Sequence, residues 1–131
     1  MFDAKTDQWV EIDSPFSFVE TRDRVIDAIA AAGLTIFAQI DHAKGAAEIG
    51  ISMRPTLVLI YGHAKGGTPL MQAEPRLALD LPLRVLLRET DEGLVLITFH
   101  PVAAMLRQAG LPEALATRLE PAQQLLERAI A

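Results

Sequence analysis

The stretch Arg54-Pro55-Thr56-Leu57-Val58-Leu59-Ile60-Tyr61-Gly62-His63-Ala64-Lys65-Gly66-Gly67-Thr68-Pro69-Leu70-Met71 reads as a buried strand, a glycine-rich loop and a helix start. The Thr56–Tyr61 run is continuously apolar and partly β-branched. That pattern predicts a central strand covered on both faces. Thr68 is placed to N-cap the following helix, with Pro69 at its first position, where a missing N–H costs nothing. Glu74-Pro75 ends this helix, because a proline disfavours helical backbone at the residue before it.

On the N-terminal side, Phe16 and Phe18 alternate with Ser17 and Val19, predicting a short first strand. Thr21 is then placed to cap a helix carrying Val25, Ile26, Ile29 and Ala30 as its apolar stripe, with Gly33 as its stop. Leu34–Ile40 follows as a strand, with Leu34, Ile36, Ala38 and Ile40 on one face and Thr35, Phe37 and Gln39 on the other. Asp41 caps a short helix from His42 to Ile49 that Gly50 closes.

On the C-terminal side, Leu77, Leu79, Leu81 and Leu83 alternate until Pro82 interrupts, which predicts an edge or a bend. Leu83–Arg88 and Leu94–Phe99 pair as a hairpin across Glu89–Gly93. His100-Pro101 opens a helix that Gly110 ends, and a last amphipathic helix starts at about Pro112 or Pro121 and runs to Ile130. The order of elements predicts an α+β domain of two layers, a mostly antiparallel sheet covered on one face by helices. Phe37 and Leu86 stand off their strands' patterns. A second subunit over the open face would account for both, so a homodimer is expected.

The bulk numbers set the class. The chain has 131 residues, of which half are hydrophobic and 22% charged, enough for one domain with a real core and too apolar for disorder. The net charge of −5, without a Lys/Arg cluster, argues against nucleic acid or an anionic membrane as partner. With no cysteine there is no disulfide, thiolate metal site or Cys nucleophile. The N-terminus lacks the pattern of a signal peptide, and no apolar run approaches the roughly 20 residues of a membrane span. A cytoplasmic protein is the plain expectation.

Four blocks carry a family resemblance: Ile40-Asp41-His42; Met53-Arg54-Pro55-Thr56; Gly62 through Lys65-Gly66-Gly67-Thr68-Pro69-Leu70-Met71; and Asp80-Leu81-Pro82-Leu83-Arg84-Val85-Leu86. On these the chain resembles the domain-of-unknown-function family 302. The resemblance implies a bacterial α+β domain with a TATA-box-binding-protein-like sheet topology, often dimeric, and implies no activity. It divides the chain into an N-terminal extension (1–13), a family-like region (14–111) and a C-terminal helix (112–131).

Candidate sites follow from chemistry. A glycine-rich loop running into a helix N-terminus at Gly62–Thr68 points N–H groups at one spot and can hold an anion, with Lys65 adding charge and Thr68 a hydroxyl. The bland alternative is a tight turn in which Gly66 and Gly67 adopt positive φ. Lys65 precedes the glycines, so this is not a P-loop. Arg54 can grip a carboxylate, or form a structural ion pair with Asp41 or Asp80. These features define a candidate rim of His42, Arg54, His63, Lys65, Gly66, Gly67 and Thr68. His42, His63 and His100 each stand at a predicted strand end, so a tri-histidine metal site is conceivable, and a haem ligand among them less so. Their spacing carries no metal signature. No serine lies in a nucleophile elbow. The expected function is a small homodimeric module that binds a small molecule or anion, or acts as an accessory domain, without covalent catalysis. The rivals are a metal- or haem-binding protein or enzyme, and a purely structural interaction domain.

Overall fold

A computed structural model describes residues 8–131. Among these, the strands are β1 (Val10–Ser14), β2 (Thr35–Asp41), β3 (Thr56–Gly62), β4 (Leu83–Glu89) and β5 (Val95–Phe99). They form one sheet in the order β1-β5-β4-β3-β2, and every neighbouring pair is antiparallel. The helices are α1 (Phe18–Ala31), α2 (His42–Glu48), α3 (Ala64–Ala73), α4 (Val102–Gln108), α5 (Glu113–Ala116) and α6 (Glu120–Ala129), with a 3-10 turn at Pro75–Leu79. The α+β architecture is therefore as the sequence predicts, and the Leu83–Phe99 hairpin pairs in the expected place.

The first strand is displaced from its expected position. Phe16 and Phe18 are not in a strand, because Ser17 accepts a hydrogen bond from the Glu20 amide and starts α1 at Phe18. Thr21 is consequently inside the helix, fully buried, with its hydroxyl 2.6 Å from that of Ser14. The strand instead is Val10–Ser14, paired residue for residue with Val95–Phe99. Most of it falls in the segment read from sequence as an extension; residues 1–7 of that segment lie outside the described residues.

Helices α1 and α6 pack on each other, and α1 also packs on β4, so the helical layer lies over one face of the sheet. Leu57, Leu59 and Tyr61 of β3, Val85 and Leu87 of β4, and Ile97 of β5 point into that core and meet Val25, Ile29, Leu106 and Leu126. The other face of β3 corrects the expectation of a strand covered on both sides. Thr56, Val58 and Ile60 alternate with the buried residues and are only half-buried.

In β2 the expected division of faces also fails. The register shifts between Ile36 and Ala38, a β-bulge with Phe37 as the extra residue. Ile36 stands opposite buried Tyr61, whereas Ile40 stands opposite half-buried Val58. An inserted residue reverses the two-residue period, so Ile36 and Ile40 lie on opposite faces.

Candidate ligand-binding cavity

The glycine-rich segment is not a loop. Helix α3 begins at Ala64, five residues before Pro69, and the His63 ring accepts the Lys65 amide through Nδ1 at 3.0 Å. The amides of Gly66 and Gly67 bond to the His63 carbonyl. Both glycines are helical, and neither has positive φ. Thr68 is therefore not the cap, and Pro69 sits in the second turn. A proline there cannot donate to the carbonyl four residues back, which is that of Lys65. The Lys65 carbonyl is met from outside the helix by Arg118 Nη2 at 3.2 Å. Tertiary structure thus supplies the partner that local sequence withholds. The same capping bonds occupy N–H groups that an anion cradle would need.

The two glycines matter through their lack of a Cβ. At Gly66 a Cβ would lie 3.0 Å from Leu119 Cδ2, so this position lets the segment before α6 approach α3 closely. At Gly67 a Cβ would meet Met71 and Leu81 only at 3.7 and 3.9 Å. Between these elements is a cavity of about 250 Å³. His63, Ala64, Gly66, Gly67, Thr68 and Met71 form one wall, Leu81-Pro82-Leu83 a second, and Leu119 with Ala122 a third. Leu34, Phe37 and Gly62 close the end next to β2. The lining is apolar except for His63 and Thr68.

Tyr61 braces this wall. Its hydroxyl donates to the Ala122 carbonyl at 2.8 Å, and burial pushes its pKa well above the ordinary phenol value, so it remains a neutral donor.

The predicted rim is divided by the antiparallel order. Strand β2 ends at Asp41 opposite Leu57, the start of β3, whereas His63 follows the far end of β3. His42 and Arg54 are therefore at one end of the sheet, and His63, Gly66, Gly67 and Thr68 are together at the other. Lys65 is exposed beside the cavity but does not line it. Arg54 has ion-pair and hydrogen-bond partners other than the Asp41 and Asp80 expected. It bonds Glu89 Oε2 and the Asp91 carbonyl, each at 2.9 Å, and so ties the β4–β5 loop to the residue before Pro55. Asp41 caps α2 as predicted, accepting from the Lys44 amide at 2.9 Å.

The three histidines do not converge. His63 lines the cavity, whereas His42 and His100 border a shallow depression on the open face, where the His100 ring stacks on Trp9. Among the described residues no group of three or more His, Asp or Glu side chains is placed to hold a metal ion. Strand β2 runs opposite to β3 and β5, so His42 stands at the other end of the sheet from His63 and His100, and those two are held apart by β4, which lies between β3 and β5.

Sequence reasoning missed Leu34, Met71, Leu119 and Ala122 as cavity residues. Leu81-Pro82 was visible as a bend; Leu119 had no local signal, since its role is set by the Cβ missing 53 residues earlier.

A five-stranded antiparallel sheet backed by helices, with an apolar cavity at one end, defines a small α+β domain with a pre-formed pocket. Residues 10–131 match the family described as domain of unknown function DUF302, and the chain belongs to that family. A crystal structure of an uncharacterised conserved DUF302 protein from Bacillus stearothermophilus superposes with a TM-score of 0.78 at 15% identity, covering 93% of this chain and 94% of that one. At that identity it shows the shared fold. Two curated proteins are similar over 102 residues at 35% identity, each match covering 78% of this chain. They are the proteins named fluoride-specific ion channel FluC 1 of Brucella suis biovar 1 and of Brucella abortus biovar 1. The match takes in 40% and 38% of their lengths. No helix among the described residues of this chain is long and apolar enough to cross a membrane.

Proposed function

We propose that this protein is a small-molecule-binding module, working as a homodimer, whose ligand occupies the cavity at the start of α3. The cavity carries the reading. Its volume of about 250 Å³ is just below the common range for ligand pockets, roughly 300–1,000 Å³. The lining suits a compact, mainly apolar molecule with one polar end directed at His63 and Thr68. Of the candidate site residues, His63, Gly66, Gly67 and Thr68 belong to this proposal, and Lys65 lies near enough to favour an anionic end group. The reading requires no covalent step.

The test is ligand-observed NMR with a series of small aryl and acyl carboxylates. Saturation transfer to members of the series is expected in the native protein. It should vanish in Gly67→Leu, which fills the cavity, and persist in Leu86→Glu, which alters the open face. Transfer that survives Gly67→Leu would place the ligand elsewhere.

The Brucella relatives favour a related role. The portion resembling this chain is about two fifths of each, and both carry the name of an ion channel. We read this chain as the counterpart of a domain attached to a membrane protein, an accessory module that senses a small molecule. A fluoride titration followed by thermal unfolding tests the simplest form. A fluoride-specific shift absent with chloride would make the ion itself the ligand; no shift would leave the cavity ligand as the sensed species.

A further inference from the structure

The sheet has two edges of different character. At one edge, β1 carries Glu11 and Asp13 among its five residues. At the other, β2 reads Thr35-Ile36-Phe37-Ala38-Gln39-Ile40-Asp41, with no charge before its last residue and no proline. Six of its seven residues are exposed, including Phe37 at 55% and Ile40 at 41%. An uncharged, uncovered edge presents unpaired N–H and C=O groups that readily accept another strand. The bulge at Phe37 interrupts this ladder once, and Ala38–Asp41 beyond it continues in regular register.

We propose that the edge of β2 pairs antiparallel with the β2 of a second copy of this chain, joining the two sheets and covering the exposed side of Phe37 at the end of the cavity. The inference rests on the homodimer reading and specifies its interface. A two-fold axis normal to the sheet sets a strand antiparallel to its own copy, so the contact is self-complementary and closes at two subunits. Packing the open faces together would instead bury Arg84 and the Arg88–Glu11 ion pair, which is held at 3.5 Å. Edge pairing leaves those charges in water. It also sets the partner's Asp41 and the partner's His42 beside the Thr35–Phe37 end, where Phe37 and Leu34 line the cavity. The pocket wall left exposed in one chain is thereby covered by the other.

Hydrogen–deuterium exchange at several protein concentrations, with light scattering on the same samples, tests this. A dimer is expected whose Thr35–Asp41 amides gain protection as dimer forms. Ala38→Lys and Ile40→Lys should each weaken dimerisation at least tenfold, while Leu86→Glu leaves it unchanged. A dimer with unprotected β2 amides, or one broken by Leu86→Glu alone, would overturn edge pairing and leave the homodimer reading standing. A monomer at every concentration would overturn both.

Discussion

Gly67 shows how a single residue is set by two demands. Its helical backbone gives glycine no conformational advantage, and a glycine inside a helix is less favourable than alanine by roughly 0.5–1 kcal/mol. A methyl group there would meet its neighbours at ordinary contact distances of 3.7 and 3.9 Å. Gly67→Ala should therefore stabilise the protein by about 0.5–1 kcal/mol, a rise of a few degrees in melting temperature, while shrinking the cavity. Calorimetry of the variant checks the first effect, and the carboxylate titration the second. Glu74 is legible at the same scale. Its carboxylate accepts from Arg76 Nε, Nη2 and backbone N–H, and this side-chain pairing first, then the amide bond, holds its pKa down to about 2. A folded-state pKa below the unfolded value means that its contribution is present above the usual carboxylate range, roughly 4.3. It is lost as pH falls from there toward 2. In an NMR titration the Glu74 carboxyl should move up toward the ordinary range in Arg76→Ala; an unchanged midpoint would show that the pairing does not set it.

At the scale of elements, side chains do what caps and turns leave undone. Helix α4 follows Pro101 and has no side-chain cap of its own. Gln123 of α6, buried, supplies one: its Oε1 accepts from the Val102 amide at 2.9 Å and its Nε2 donates to the His100 carbonyl at 2.7 Å. Gln123→Ala strands two backbone groups, one of them buried, and should cost about 2 kcal/mol in denaturant unfolding. Arg54 performs a similar task from outside, joining the β4–β5 loop to the entry of β3. Because this pair is partly exposed, Arg54→Ala should cost only about 1 kcal/mol and leave cavity binding intact. Loss of binding in that variant would return Arg54 to the site. Neither partner was visible in sequence, since each link spans twenty residues or more of chain.

At the scale of the molecule, β1 closes the sheet. Val10 and Ile12 pack against the core, and the strand covers the edge of β5 over its whole length. A chain beginning at Pro15 should expose that edge, melt at lower temperature and self-associate, which scanning calorimetry and light scattering would show. A truncated chain as stable and as dispersed as the full one would mean that these residues are dispensable to the fold. The cavity also belongs to this scale. Its walls come from β2, α3, the Leu81-Pro82 bend and the segment entering α6, and it exists only when all four are in place.

What the sequence determined by itself is everything set by periodicity and punctuation over a few residues. The apolar runs of β3, β4 and β5, the Asp41 cap, the Gly33 and Gly110 stops and the Pro75 break all act within one turn or one strand, and together they specify an α+β sheet domain. The tertiary structure alone decided the rest. The bulge at Phe37 reversed the faces of β2, and Arg118 met the Lys65 carbonyl that Pro69 leaves without a helical donor. Antiparallel order separated His42 from His63, and the strand order set β4 between the strands that lead to His63 and His100. Each of these is settled by a partner far away in the chain, and a local pattern carries no record of where the next strand runs or which side chain arrives from it.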